Sequence, residues 1–219
     1  MKETELTALW KAYDQKLEEH LQVNRQHAAD ITRLKVQSAL SSMKPSKIFT
    51  LFIGLIWVSL GSTVVFNLAV YAPDKVSIFF LLSAGFQLIL TAIALVVYLY
   101  QLILIRQVDI SEPVLAVQER LARLRSSTLQ VTRILFLQLP AWTTFFWSES
   151  MFEHNHTSLL ILPVAITLIF TAATPWLFFN IKYENRDKWW FRFIFSGKEW
   201  DPILQAMEML EQLKGYQKT

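Results

Sequence analysis

SESMFEHNHT, residues 148–157, gathers the metal-ligating side chains Glu149, Glu153, His154 and His156. Spacing limits what they can do. Two histidines two residues apart point the same way only on an extended strand, and on a helix they diverge. A third ligand would have to come from another segment, so a solvated loop is expected and no metal is assigned. Asn155-His156-Thr157 also fits the N-glycosylation pattern, which has meaning only in a eukaryotic secretory setting. The chain has no cysteine, which excludes disulfides, zinc–thiolate sites, iron–sulfur clusters and cysteine nucleophiles. No phosphate-binding loop, nucleophile elbow, zincin or kinase signature occurs in it. The expectation is a protein that is not an enzyme and uses no cofactor.

The other polar candidates lie inside apolar stretches. Residues 48–72, 76–105 and 157–181 contain no Asp, Glu, His, Lys or Arg. Roughly 20 apolar residues cross the hydrocarbon of a bilayer, so each stretch is long enough. Ion-coupled transporters, proton relays and intramembrane proteases need ionisable groups at that depth. Here, and in the shorter apolar stretch 134–147, only hydroxyls and amides are found, among them Asn67, Gln87, Thr91, Gln101, Gln138, Thr167, Thr171 and Thr174. Hydrogen bonding between helices accounts for such residues. The alternative is a neutral pore lining, with Gln87 and Gln138 as its best candidates.

The elements that must hold these residues are helices in a membrane. The chain is 53% hydrophobic and 18% charged, against about 45–50% and 25% in soluble domains. Nothing in residues 1–47 reads as a cleavable leader, so the first apolar stretch is expected to be an anchor. Residues 134–147, ILFLQLPAWTTFFW, are short at about 21 Å. Extension to Phe152 gives a crossing length, with Arg133 and Glu149 at the two headgroup levels. A re-entrant segment is the other reading. With four crossings, residues 1–47, 106–133 and 182–219 share one side and hold 8, 5 and 7 of the 21 Lys and Arg. Only Lys75 lies opposite. The positive-inside rule then places both termini in the cytoplasm, and the basic pI near 9.1 is a topology signal rather than a nucleic-acid footprint.

The expected fold is thus an all-α integral membrane protein: four transmembrane helices in two hairpins, 48–105 and 134–181, plus amphipathic cytoplasmic helices in 1–47, 106–133 and 182–219. In the first of these, Leu6, Trp10, Tyr13, Leu17, Leu21, Asn24, Ala28 and Ile31 recur at helical spacing, and Pro45 is expected to end the helix. Residues 112–133 form a second helix, capped by Ser111, which runs into the third span. In the tail, Asp201 and Pro202 start a helix that continues to Lys214, with Gly215 as its stop. Between them, Lys188-Trp189-Trp190-Phe191-Arg192-Phe193-Ile194-Phe195 mixes rings with cations, as segments in the headgroup layer do; docking onto the other cytoplasmic helices is the second reading, and stacking on nucleic-acid bases ranks below both. Pro140, Pro163 and Pro175 are expected to kink the third and fourth spans.

SEPVLAVQERLARLR at 111–125 is echoed by WDPILQAMEMLEQLK at 200–214. Lys47-Ile48-Phe49 and Arg133-Ile134-Leu135 open the two hairpins in the same way. Either the chain is two parallel repeats, whose halves would be related by an axis along the membrane normal, or independent helices obey the same capping physics. LWKAYDQKLEEHLQVNRQ, SMKPSKIFTLFIGLIW and QVDISEPVLAVQERLARLR together resemble a family of uncharacterised bacterial four-span membrane proteins. That resemblance implies a bacterial inner membrane and supplies no catalytic residues.

The apolar stripe of the first helix needs a cover. The helices at 112–133 and 201–214, a second protomer and a partner protein each fit. The residues expected at such an interface are Trp10, Tyr13, Leu17, Leu21, Leu121, Leu124, Leu210 and Leu213. The leading expectation is a membrane-anchored regulatory or scaffold protein that binds a cytoplasmic protein partner or forms a homo-oligomer, with the lipid bilayer around it and no nucleic acid. The alternative is an oligomeric channel or transporter subunit with a Gln- and Thr-lined path. An enzyme acting on lipid ranks last.

Overall fold

The computed structural model describes residues 2–107, 114–149, 151, 157–197 and 200–218. The first helix, α1, runs unbroken from Lys2 to Tyr71. At 1.5 Å per residue its 70 residues extend about 105 Å. It carries the charged segment and the first apolar segment on one axis. Pro45 therefore does not end the helix, contrary to the sequence expectation. A proline removes one N–H and crowds the carbonyl four residues back. Pro45 faces outward, while Val36, Leu40, Met43 and Lys47 form a buried line that passes under it. Packing along that line holds the axis across the proline.

A 3-10 turn at Pro73–Lys75 leads to α2, Ile78–Arg106. Ser77 caps α2 by accepting from Phe79 N. Then come α3 (Val114–Phe136), α4 (Leu139–Thr144), α5 (Thr157–Asn180), a 3-10 turn at Tyr183–Asn185, α6 (Trp189–Phe195) and α7 (Asp201–Lys218). The cap expected at Ser111 lies outside the described residues. Gly215 does not stop α7, which continues to Lys218. A glycine within a helix costs only about 1 kcal/mol relative to alanine, so it ends a helix only where other signals agree.

Among the described residues, three helices are long and apolar enough to cross a membrane: α1, α2 and α5. Their outward faces are large and apolar. Phe52, Leu60, Phe66, Leu162, Leu168 and Ile169 are all exposed, a surface that water would not tolerate and lipid would. α1 and α2 pack as a hairpin. A Cβ on Gly54 would stand 2.4 Å from Leu95 Cδ2, so the glycine lets α2 approach the α1 backbone. Pro163 and Pro175 both lie inside α5.

The 134–147 stretch is not one helix. α3 ends at Phe136, residues 137–138 turn, and Pro140 opens the short α4. Proline tolerates the first turn of a helix and not its interior, which explains a break just ahead of it. A polar ladder fixes this segment against α2. Ser77 Oγ donates to the Trp147 carbonyl at 2.7 Å, the Ser83 and Thr144 hydroxyls meet at 2.8 Å, and Gln138 Nε2 donates to Thr91 Oγ1 at 3.1 Å. As one number rises the other falls, so 138–147 runs antiparallel to α2. Phe79 on Trp147 and Phe80 on Phe145 close the end near Ser77 edge to face.

Two cores lie at the opposite, charged end. In the first, Val36, Leu40 and Met43 of α1 meet Leu104 and Ile105 of α2, Val117, Leu121 and Leu124 of α3, and Ile203, Ala206 and Leu210 of α7. α1, α3 and α7 each offer apolar residues three or four apart, the stripe that packs helix on helix, and α2 adds two adjacent residues near its end. The second core joins Leu129 and Ile181 to Phe191, Phe195 and Trp200. Phe191 stacks on Phe195 at 4.3 Å, and Trp200 stands 5.0 Å from Phe195. The turn from α6 into α7 needs Gly197, whose φ is +133°, a region only glycine enters freely.

Candidate functional site

The first candidate surface is the N-terminal part of α1. Each described side chain from Thr7 to Ala28 is exposed. Trp10 is 64% exposed and Tyr13 69%, with Leu17 and Leu21 near half. These residues therefore do not pack on helices 112–133 and 201–214, the first of the three covers. At about 100° per residue, their line lies about a quarter-turn around α1 from the buried line through Val36, Leu40 and Met43. The chain's own bundle uses one face of α1 and leaves the other bare. Ile31 extends the bare face toward the bundle and is also exposed.

Leu121, Leu124 and Leu210 are brought together, as expected from the paired helices. They form the floor of the bundle and are buried, so they position the arm rather than offer a surface. The side chain of Leu213 lies outside the described ones. On the surface of α3, Glu119 hydrogen-bonds Arg123 at 2.7 Å and raises its pKa. So exposed a pair adds little stability.

Gln87 and Gln138 also meet. Gln138 Nε2 reaches the Gln87 carbonyl at 3.4 Å as well as Thr91, and both amides sit on the contact between α2 and the 138–147 segment. The Gln87 Nε2 is buried and has no hydrogen-bond partner among the described residues. The arrangement is that of polar residues fastening two helices. Replacing Gln138 with Ala is expected to lower stability by about 0.6 kcal/mol and by less than about 2 kcal/mol, read from reversible unfolding in detergent or bicelles. A larger loss would mean that the amide does more than fasten.

No family model, curated protein or solved structure matches the chain.

Three features escaped the sequence reading. Lys47, which opens the first hairpin in the sequence, is fully buried, donates to Gln101 Oε1 at 2.5 Å and lies 4.5 Å from the Tyr98 ring centre. Its place four residues after Met43, on the bundle's own line, was the available signal. Trp200, directly before the Asp201-Pro202 start, is a core residue. Arg125 stands four residues after Leu121, at the edge of a buried stripe, and stacks on Tyr183 with its guanidinium 3.9 Å from the ring centre. The loop cluster of Glu153, His154 and His156 lies outside the described residues.

Proposed function

We propose that the protein is a non-enzymatic membrane-anchored scaffold whose α1 arm is covered by a partner helix, from a second copy or from another protein. The bare line of Trp10, Tyr13, Leu17 and Leu21 carries this reading. An apolar helix face of that length is stable in water only when paired, and a partner helix laid along it is the usual pairing. The bundle holds the base of the arm, and the unbroken helix through Pro45 ties the arm to the membrane part. Two copies in one bilayer point their arms the same way, which suits parallel pairing. Placing a photo-crosslinker along the arm tests the proposal: capture should follow the stripe.

The same proposal includes four crossings, a bacterial inner membrane, both termini in the cytoplasm and the likeness to bacterial four-span proteins. The 134–152 crossing is supported at both its ends. Arg133 donates through Nε and Nη2 to the Ile181 carbonyl just beyond α5. Trp147 meets Ser77 at the start of α2. The segment therefore reaches from one end level of the apolar helices to the other. A parallel repeat also gains support. Lys47 opens the first hairpin and bonds near the end of its returning helix, at Gln101, and Arg133 does the same in the second, at Ile181. The channel alternative has no comparable observation, because the two glutamines meet each other across a helix contact.

A further inference from the structure

Just beyond the end of α5, a cavity of about 570 Å³ opens between α3, the Tyr183–Asn185 turn, α6 and α7. Arg125, Arg186 and Arg192 line it with Tyr183, and Asp201 and Glu208 stand on the α7 side. Tyr183 takes two guanidiniums, Arg125 at 3.9 Å and Arg186 at 4.5 Å from the ring centre. Arg186 and Arg192 share Asp187 at 4.0 and 3.8 Å, long contacts on exposed side chains that hold little. Arg125 is different. It is half-buried, and its hydrogen bond goes to Met207 Sδ at 3.7 Å, a weak acceptor for a guanidinium. Among the described residues no carboxylate lies within ion-pairing distance of it. A guanidinium clamped on a ring keeps its planar fork aimed, and that fork matches a phosphate.

We propose that this cavity binds the phosphate of a membrane lipid headgroup, with Arg125 and Arg186 as the recognising pair. Two observations choose lipid over a soluble phosphate. Tyr183 follows the apolar α5 by three residues, which puts the cavity at headgroup depth beside the hydrocarbon. On α6, Trp189 is 80% and Phe193 82% exposed, while Phe191 and Phe195 are buried in the second core. The short helix thus turns one aromatic face into the protein and offers the other to the bilayer beside the cavity. Asp187 makes long contacts with Arg186 and Arg192, and all three carboxylates, Asp187, Asp201 and Glu208, are exposed to solvent. The site is independent of what covers the arm.

Native mass spectrometry of the full-length protein in detergent tests this, with phosphatidylglycerol, diacylglycerol of the same chains, and inorganic phosphate as probes. The wild type should retain phosphatidylglycerol, and diacylglycerol should be lost. Arg125→Gln and Arg186→Gln should each weaken retention about tenfold or more. Arg125→Lys should restore it only in part, and Arg123→Gln, on the outside of the same helix, should leave it unchanged. Equal retention of diacylglycerol, inorganic phosphate binding as tightly as the lipid, or full retention by both glutamine variants would overturn the proposal. Because Arg186 is exposed, its variant folds even if the loss of Arg125 loosens the core.

Discussion

Ile203→Asp is expected to release α7 from the bundle. Ile203 is fully buried against α1 and α3, where the new carboxylate would find only apolar neighbours. Burying an unpaired charge costs several kcal/mol, against a total stability of about 5–15 kcal/mol for a typical domain. The apolar helices do not depend on this contact, so the loss should be local. Limited proteolysis should cut the 196–202 region many times faster in the variant, while the α1–α2 hairpin stays protected. Gln205→Asp, exposed on the same helix, should lie within about 0.5 kcal/mol of wild type. If Ile203→Asp and Gln205→Asp behaved alike, α7 would not be docked as described.

Trp200→Ala should have the next largest effect, about 3–5 kcal/mol. The indole is 4% exposed and touches both Phe191 and Phe195. Its removal leaves a cavity that two stacked rings cannot collapse to fill, since Phe191 is itself pinned against Trp190. Trp200→Phe should recover most of the loss by keeping an aromatic partner. The readout is the unfolding midpoint in detergent together with the near-ultraviolet circular dichroism of the aromatic cluster. An alanine variant as stable as the phenylalanine one would show that the cluster adds little.

The sequence made the membrane helices readable because lipid imposes one simple demand, a long stretch without charge. α1, α2 and α5 follow from that demand alone. The amphipathic helices were readable for a similar reason: Leu121, Leu124 and Leu210 fall on stripes, and stripes must be buried. Punctuation was the less readable part. Pro45 and Gly215 are local signals of about 3 and 1 kcal/mol, and packing along a whole face can outweigh them, as the line from Val36 to Lys47 does. The break at 137–138 went the other way, since a short apolar stretch with Pro140 in it has little to hold it straight. Which face of α1 the bundle would take was not readable at all. Trp10, Tyr13 and Leu17 form the more conspicuous stripe, yet the chain buries Val36, Leu40 and Met43, because only those lie at the height of α3 and α7. The ring-clamped Arg125 was hidden for the same reason: its partners, Tyr183 and Met207, are distant in sequence and were brought to it by the fold.

A scaffold of this design requires that the bare stripe of α1 be covered in the membrane-bound protein. The chain's lack of cysteine allows single cysteines to be placed at will. Tyr13→Cys and Leu17→Cys on the stripe, and Gln15→Cys and Glu19→Cys off it, would each carry a benzophenone label and be illuminated in native membranes. Linking should be strong at positions 13 and 17, weak at 15 and 19, and lost from position 17 when Trp10 and Tyr13 are replaced by Ala. A product of twice the chain's mass identifies a second copy, and a discrete product of another mass identifies a different protein. Linking that is equal at all four positions, or absent from all four, would contradict a covered stripe.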